Sequence, residues 1–312
     1  MTPIGRLAPS PTGAQHVGNA RTYLVAWLMT RSHNGVVRLR IEDIDSPRIK
    51  AGAAEQAAED LHWLGLDWDG VPVTQTDRLP LYEAALEQLK RQERVYPCTC
   101  TRSDIAAAAS APHIGQEGPP YPGTCAHRTV ADALSLVADG KPFAWRFRVT
   151  ESPTFTDLYA GEQHIDLEIL GGDFVVWKSA GTPAYQLAVV VDDAEMGITE
   201  VVRGDDLIPS TPRQLLLYRA LGLTPPVFAH VPLVVGEDGR RLAKRHGDTR
   251  LSTLRESGVT AETLVGLLAW SCGWVEEAQP IRARELLPLF RLSVIPSRPF
   301  VLTAETLRRI EN

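Results

Sequence analysis

The sequence predicts an α/β protein built on a parallel sheet, with an inserted α+β lobe and a small helical domain near its end. Three observations predict this class. Strand and helix patterns alternate in residues 1–97 and again in 185–249, which is typical of a parallel sheet covered by helices. Residues 98–184 interrupt the alternation with three cysteines and two alternating apolar runs. Residues 250–312 carry short helical patterns broken by prolines, so these four segments are the expected domains.

The first half opens with a strand, a glycine turn and a helix. The predicted elements are a strand at 5–8, a turn at 9–13, a helix at 18–33, a strand at 36–41 and helices at 51–64 and 80–92. A helix that starts directly after a strand and a glycine turn presents free backbone N–H groups, and such groups bind phosphate. This end of the sheet is therefore the expected nucleotide site.

The rest of the chain changes pattern twice. In the lobe, antiparallel strands are expected at 143–149 and 173–178, with a hairpin turn at 180–181. The alternating pattern then resumes with a helix at 185–195, a strand at 198–202, a helix at 211–221 and a strand at 228–235. Leucine-rich helical patterns follow from residue 251. The second half of the sheet is thus expected after the lobe.

Composition restricts the possible classes. With 312 residues, 44% hydrophobic and 22% charged content, the chain is expected to be a soluble globular protein. It has no apolar run of membrane length and no basic segment followed by an apolar one at its start, so a cytoplasmic location is expected. The net charge of −6 gives no global attraction for a polyanion, and RNA contact would need local basic clusters. The absence of heptads suggests a monomer.

The first motif lies where the predicted strand passes into the helix. His16-Val17-Gly18-Asn19 places an imidazole and a flexible backbone at a helix start. Gly18 lets a nucleotide approach the backbone, and His16 can donate a hydrogen bond to a phosphate oxygen as charge develops. A Pro/Gly turn before a helix is also a common structural feature, so the motif alone leaves both interpretations open.

The second motif is the basic loop at residues 240–246, which follows the turn Glu237-Asp238-Gly239. A mobile loop bearing Lys244 is suited to hold the diphosphate leaving group of ATP. Taken alone, the same residues also fit a solvated basic surface loop.

Together the two motifs resemble the His-Ile-Gly-His and Lys-Met-Ser-Lys-Ser signatures of class I aminoacyl-tRNA synthetases, in the same order and on either side of an inserted lobe. Here Asn19 stands in place of the second histidine, and Arg241 and Ala243 replace the first lysine and the serine. Lys244 keeps the lysine expected at the phosphates. The resemblance implies a Rossmann-type catalytic domain that uses ATP with Mg²⁺.

Longer segments resemble the glutamyl branch of this family over nearly the whole chain. They are residues 6–13, 40–45, 191–193, 203–206 and 211–214. Full-length glutamyl-tRNA synthetases carry a large anticodon-binding portion after the second motif, and the residues after Lys244 are too few for it. The chain is therefore more similar to the shortened family, the glutamyl-queuosine tRNA(Asp) synthetases. Ile44 and the segment 46–48 also resemble that family.

This resemblance implies an enzyme that activates L-glutamate with ATP to glutamyl-adenylate without needing tRNA. The glutamyl group then passes to queuosine in the anticodon of tRNA(Asp). The inserted lobe would be of the acceptor-binding type and the helical domain would resemble a stem-contact domain. Two alternatives stay open: a glutamyl-tRNA synthetase core that charges tRNA(Glu), and a non-catalytic synthetase-like binding module.

The resemblance also assigns site residues. His16 and Lys244 would be catalytic, because both stabilise charge on the phosphates. The implied glutamate site consists of Arg6, Leu7, Ala8, Pro9, Ser10, Glu42, Tyr185 and Arg203, and the implied ATP site of His16, Gly18, Asn19 and Lys244. A guanidinium at Arg6 matches the substrate's side-chain carboxylate in bidentate geometry, and Glu42 would face the α-ammonium group.

The cysteines of the lobe suggest a metal. Cys98, Cys100, Tyr121 and Cys125 correspond to the zinc set of the shortened family, and tetrahedral zinc accepts thiolates readily. His127 is the alternative fourth ligand, and reduced cysteines without a metal are the alternative to a site. Cys272 lies in an apolar run and is expected to be a buried core thiol.

Overall fold

A computed structural model describes residues 2–11, 14–44, 51–108, 120–242 and 249–311 of the chain. Its strands are β1 (Ile4–Leu7), β2 (Val36–Ile41), β3 (Val73–Thr74), β4 (Val95–Cys98), β5 (Ala144–Phe147), β6 (Phe155–Asp157), β7 (Gly161–Gln163), β8 (Phe174–Trp177), β9 (Glu200–Gly204), β10 (Val227–Val231), β11 (Val234–Val235) and β12 (Phe300–Val301). Its helices are α1 (Val17–Ser32), α2 (Ala53–Trp63), α3 (Leu79–Arg91), α4 (Arg102–Ala108), α5 (Asp132–Ala138), α6 (Tyr185–Glu195), α7 (Ser210–Leu221), α8 (Leu251–Glu256), α9 (Ala261–Ser271) and α10 (Ala304–Glu311). Within these ranges, none of the helices combines the length and the apolar character that a membrane span needs.

The central sheet is parallel, which confirms the predicted fold class. β1 pairs with β2 and β2 with β3 in parallel register, and β9 pairs with β10 in the same sense. The Thr199 backbone N–H, directly before β9, donates to the carbonyl oxygen of Ile4 at 2.9 Å. The β9–β10 pair therefore lies beside β1, so the two halves of the chain meet at the middle of the sheet.

Helix α1 packs directly on β1. A side chain at Gly5 would place its Cβ only 2.0 Å from Oγ1 of Thr30, so only glycine allows the two elements to approach this closely. Much of the helix is buried, including the side chains of Leu24, Val25 and Leu28. Because the helix is fixed on the strand that precedes it, its N-terminus lies at the carboxyl end of that strand.

The inserted lobe is antiparallel. β4 pairs with β5, and β5 with β8, while β6 and β7 form a separate hairpin. The expected turn at 180–181 is present, with the Lys178 N–H donating to Thr182 O at 2.8 Å. The cysteine-bearing segment starts at the end of β4, so one end of the lobe sheet carries the candidate metal ligands.

The predicted strand at 228–235 is in fact two strands. β10 ends at Val231 and β11 begins at Val234, because Pro232 has no N–H with which to continue the ladder. β11 instead pairs in parallel with β12 of the helical domain, a strand that the sequence patterns did not predict. The Pro232 carbonyl oxygen accepts a hydrogen bond from Nη1 of the buried Arg21 at 2.6 Å.

The helical domain packs against the opposite side of α1. Arg21 also donates from Nε to Ser271 Oγ at 2.9 Å, which joins α1 to the end of α9. Cys272 is fully buried beside this contact, as predicted for a core thiol, and burial raises the pKa of its thiol. The first and last parts of the chain therefore share one hydrophobic core.

Candidate active site

A cleft opens at the carboxyl edge of the parallel sheet, where ligands bind in open α/β proteins. Its cavity volume is about 220 Å³. The ends of β1, β2 and β9 and the start of α1 form its walls. The described residues that line it are Arg6, Ala8, His16, Gly18, Asn19, Thr22, Tyr23, Ala26, Glu42, Tyr185, Val202, Arg203, Gly204, Asp206, Leu207, Leu233, Val234, Arg241 and Leu242.

Most of the residues predicted for the site meet in this cleft although they are far apart in the sequence. Those that line it are Arg6, Ala8, His16, Gly18, Asn19, Glu42, Tyr185 and Arg203. The side chain of Leu7 is instead fully buried in the core. Pro9 and Ser10 are not among the lining residues: the Pro9 carbonyl accepts the Glu42 N–H, and Ser10 Oγ donates to the Glu42 carbonyl at 3.3 Å. These two residues thus hold the strand end that carries Glu42.

Some of the predicted site and motif residues lie outside the described part of the chain. They are Lys244 with residues 243, 245 and 246 of the second motif, Thr12 and Gly13 of the first turn, and residues 45–48.

The residues on either side of the undescribed part of this loop are described, and those before it reach the cleft. Arg241 and Leu242 line it, and Arg241 Nη1 pairs with Asp206 Oδ2 at 2.8 Å. On the other side, the Thr249 carbonyl accepts the Val17 N–H at 3.0 Å.

His16 caps the first turn of α1 with its ring. Its Nδ1 accepts hydrogen bonds from the backbone N–H groups of Gly18 at 3.1 Å and Asn19 at 3.4 Å. A nitrogen that accepts must be unprotonated, so the proton of the neutral ring is on Nε2. Burial, reinforced by the charge of Arg241, lowers the pKa of His16 to about 4. At neutral pH the ring is therefore an uncharged donor through Nε2–H.

Asn19 completes this cap. Its Oδ1 accepts the backbone N–H of His16 at 3.1 Å, so His16 and Asn19 form a reciprocal capping box. The substitution of asparagine for the second histidine of the motif thus has a structural reason. A Cβ at Gly18 would lie 3.0 Å from Cε1 of His16, so glycine leaves the ring in place.

At the amino-acid end of the cleft, one carboxylate oxygen joins two arginines. Oδ1 of Asp193 accepts from Arg6 Nε at 2.9 Å and from Arg40 Nη1 at 2.6 Å. Arg40 is fully buried, and its Nη2 also pairs with Glu42 Oε1 at 2.9 Å. Burial raises the pKa of Asp193, but Arg6 and Arg40 outweigh this effect and hold it below its usual value. The group is therefore fully ionised at neutral pH.

This arrangement leaves part of Arg6 available. Its Nε is occupied by Asp193, and no described side chain hydrogen-bonds its two Nη groups. The Nη pair of a fixed guanidinium is suited to a carboxylate in bidentate geometry.

Arg203 is the other buried cation of the cleft. Its guanidinium donates to three neutral acceptors, namely His230 Nε2 at 2.9 Å, Gln214 Oε1 at 2.9 Å and Thr211 Oγ1 at 2.8 Å. Among the described residues it forms no ion pair. A buried positive charge without an anionic partner favours an anionic ligand.

The sequence patterns gave no role to Arg40 or Asp193, although both lie in family-like segments. A signal for them does exist. Two acidic residues, Asp192 and Asp193, follow an otherwise apolar run in α6, and fully buried carboxylates require cationic or hydrogen-bonding partners. Which arginines pair with them is set by the sheet order, and a single sequence does not reveal that order.

The three lobe cysteines meet at the end of β4. The sulfur atoms of Cys98, Cys100 and Cys125 all lie within 4.8 Å of one another, so the group can hold a metal ion. Tyr121 approaches the same point, with its hydroxyl 3.4 Å from Cys98 Sγ and accepting the Cys125 N–H at 2.8 Å. His127 is exposed and does not belong to the group.

The pKa values of the cysteine thiols favour the binding of a cation at this point. Burial raises the pKa of Cys125, but hydrogen bonds from Thr99, Cys100 and Tyr121 outweigh this effect and lower the pKa to about 7. Burial and the neighbouring thiols raise the pKa of Cys100 to about 11. The full set of thiolates therefore forms only when a cation compensates their charge.

The fold and the cleft define the class of this protein as a class I aminoacyl-tRNA synthetase catalytic domain. A family model described as "tRNA synthetases class I (E and Q), catalytic domain" matches residues 4–307. The chain belongs to this family.

Curated relatives and a solved structure agree with this assignment. The chain is 51% identical to a protein of Symbiobacterium thermophilum named "Glutamyl-Q tRNA(Asp) synthetase", over 97% of both chains. A protein of the same name from Rhodopirellula baltica is 57% identical over 86% of this chain and 85% of its own. The crystal structure of a glutamate tRNA ligase from Elizabethkingia meningosepticum superposes with a TM-score of 0.84 at 27% identity, and covers 99% of this chain and 69% of that one.

The ring of His16 predicts how stability depends on pH. Its folded-state pKa of about 4 is below the unfolded value of 6.5, so between these values the unfolded chain binds a proton that the folded chain does not. The free energy of unfolding should therefore fall as the pH falls through this window, by on the order of 3 kcal/mol. In the variant His16→Gln this contribution is lost, so the stability difference between the two proteins should change with pH.

Urea unfolding of both proteins between pH 7 and pH 4 measures this difference. A constant difference across the range would contradict the assigned ionisation of His16. The exposed His164, exchanged in the variant His164→Gln, serves as the matched control and should show a much smaller change.

Proposed function

We propose that this protein activates L-glutamate with ATP and transfers the glutamyl group to queuosine in the anticodon of tRNA(Asp). The observation that supports activation is the convergence of Arg6, Arg203 and the capped N-terminus of α1 on one cleft. The arginines suit an acidic amino acid, and the helix start suits phosphates. The name of the close relatives supports the acceptor.

In the proposed first step, the α-carboxylate of glutamate attacks the α-phosphorus of ATP. The carboxylate is already ionised at neutral pH, so no general base is needed. Its oxygen forms a bond to phosphorus, and the bond to the diphosphate breaks. Catalysis is then positioning and charge stabilisation. His16 donates Nε2–H to a phosphate oxygen, and Lys244 holds the leaving diphosphate.

Bound Mg²⁺ neutralises part of the triphosphate charge. Gly18 leaves room for the His16 ring, and Asn19 completes the cap, so that the ring is held at the start of α1 with its Nε2–H available to the nucleotide.

The amino-acid pocket selects glutamate by charge. Arg6 binds the side-chain carboxylate through its Nη groups, and glutamine is disfavoured because its amide cannot form the charged bidentate pair. Glu42 accepts from the α-ammonium group, and Tyr185 and Arg203 add further contacts. Asp193 fixes the orientation of Arg6 from behind.

In the proposed second step, a hydroxyl of the queuosine cyclopentene ring attacks the carbonyl carbon of glutamyl-adenylate. An ester bond forms, AMP leaves with the electron pair of the broken anhydride bond, and the proton of the hydroxyl is released to solvent. We assign catalysis to residues 1–97 and 185–249, acceptor contact to the lobe at 98–184, and further RNA contact to residues 250–312.

A second candidate function is the charging of tRNA(Glu), and the likeness to a glutamate tRNA ligase structure favours it as the alternative. Full-length glutamyl enzymes need their tRNA before they activate the amino acid, which separates the two functions by experiment.

The decisive experiment combines two assays. ATP–diphosphate exchange should depend on glutamate and proceed without any tRNA. Radiolabelled glutamate should then attach to queuosine-containing tRNA(Asp) and leave both unmodified tRNA(Asp) and tRNA(Glu) unlabelled. The Lys244→Ala variant should reduce exchange by at least about a hundredfold, since it removes a charge that stabilises the transition state.

Exchange that requires tRNA(Glu), with label on that tRNA, would support the alternative function. No exchange under either condition would support a non-catalytic binding module.

For the lobe we propose one Zn²⁺ per chain, bound by Cys98, Cys100, Cys125 and Tyr121. The three sulfur atoms lie within 4.8 Å of one another, which is close enough for them to bind one ion. The Tyr121 hydroxyl lies beside Cys98. Such a metal stabilises a lobe segment with few core residues of its own.

Elemental analysis of the purified protein should therefore give close to one zinc per chain. Tyr121→Phe should weaken zinc binding about tenfold or more, as loss of a ligand does at least as much as loss of an outer partner. His127→Ala is the control and should bind zinc like the wild type. Loss of zinc in the His127→Ala variant alone would show that His127, and not Tyr121, is the fourth ligand.

A further inference from the structure

Behind Arg203 lies a buried histidine that the proposed reaction does not use. His230 is in β10, directly opposite Arg203 in the parallel β9–β10 ladder. Both side chains are almost inaccessible, at 0% and 4% exposure. On its other side, the ring of His230 contacts Asp157 at the end of β6, so a buried chain runs from the lobe hairpin to the cleft.

The hydrogen-bond directions in this chain fix the form of the ring. A guanidinium can only donate, so His230 Nε2, which is 2.9 Å from Arg203 Nε, must be an unprotonated acceptor. The proton of the ring is then on Nδ1 and is donated to Asp157 Oδ2 at 2.6 Å. Burial lowers the pKa of His230 despite the opposing effect of Asp157, which agrees with a neutral ring.

Asp157 is itself held in place. Its Oδ1 accepts the backbone N–H groups of Tyr159 at 3.0 Å and Ala160 at 2.8 Å, and the His230 backbone N–H also donates to the carboxylate at 3.1 Å. Because these bonds fix the carboxylate, the tautomer of the ring is fixed as well.

The order of the groups has an electrostatic consequence. A carboxylate in direct contact with Arg203 would offset its charge, as Asp193 partly does for Arg6 and Arg40. Here a neutral ring occupies the position next to the guanidinium, and the carboxylate lies on the far side of that ring. Thr211 and Gln214 are also neutral partners. Arg203 is thus oriented by three acceptors while its charge remains largely available.

We propose that His230, oriented by Asp157, is a positioning residue that holds Arg203 for a carboxylate of the amino-acid substrate without neutralising the guanidinium. This inference rests on the proposed function, in which the cleft binds glutamate. His230 contacts no substrate; its Nε2 also lies 3.2 Å from Oγ1 of Thr211, itself a partner of Arg203, and its effect reaches the cleft through Arg203.

The variant Asp157→Asn tests the tautomer. The asparagine amide can donate to Nδ1, which moves the ring proton to Nε2, where it opposes the Nε–H of Arg203. The KM for glutamate in ATP–diphosphate exchange should then rise about tenfold or more, since a hydrogen bond to a charged group is lost. The KM for ATP should change less than about twofold, because His16 and α1 are untouched.

Histidine-labelled ¹⁵N NMR gives a readout that a purely structural role would not move. In the wild type, the His230 signals should show an unprotonated Nε2 and a protonated Nδ1, and in Asp157→Asn the two should be exchanged.

His230→Gln can place an amide oxygen near Arg203 Nε and should retain most glutamate affinity, whereas His230→Leu should lose it. His164→Gln, which removes an exposed imidazole beside Glu162, is the control.

The outcomes separate this inference from the proposed function. A wild-type glutamate KM in a folded Asp157→Asn variant whose ring has changed tautomer would overturn the positioning role. Equal losses for His230→Gln and His230→Leu, with KM for ATP rising in parallel, would also overturn it. Wild-type protein without any glutamate-dependent exchange would instead contradict the proposed function itself.

Discussion

A single carboxylate oxygen determines the shape of the amino-acid end of the cleft. Oδ1 of Asp193 binds Arg6 and Arg40 together, and so fixes α6 against the ends of β1 and β2. Removal of one member of a buried ion cluster is costly, because it leaves the others desolvated and uncompensated. Asp192, the next residue, is satisfied in the same way by Gln75, Arg78 and Tyr82. The cleft is therefore preorganised before any substrate enters.

The two ends of the cleft recognise charge by different means. At the nucleotide end, the neutral ring of His16 offers its Nε2–H, and the N-terminus of α1 adds the positive end of the helix dipole without a full positive charge. At the amino-acid end, guanidinium groups supply the charge. Arg6 is oriented by an ionised carboxylate and Arg203 by neutral acceptors, so the pocket has a net positive character that suits a dicarboxylic amino acid. Both ends depend on the parallel sheet, since it brings residues from its two halves to one edge.

The sequence predicted the parallel α/β class, most helix positions and the main lining residues of the cleft. These succeed because strand and helix periodicity is local and because the motif residues lie at strand ends. The split of the strand at Pro232, the β11–β12 pair and the Arg40–Asp193–Arg6 cluster were not predicted. The pair and the cluster depend on which distant elements become neighbours, whereas the split follows from the missing N–H of Pro232. The side chain of Leu7, a residue predicted for the substrate site, faces the core, because alternate residues of a strand point to opposite faces.

The most direct test of the account is a crystal structure of the protein with a non-hydrolysable glutamyl-adenylate analogue. We expect the side-chain carboxylate of the ligand on the Nη groups of Arg6, with Asp193 still bound to its Nε, and the ligand phosphate at Nε2 of His16. A ligand bound elsewhere, or bound with Arg6 turned away from its carboxylate, would contradict the account.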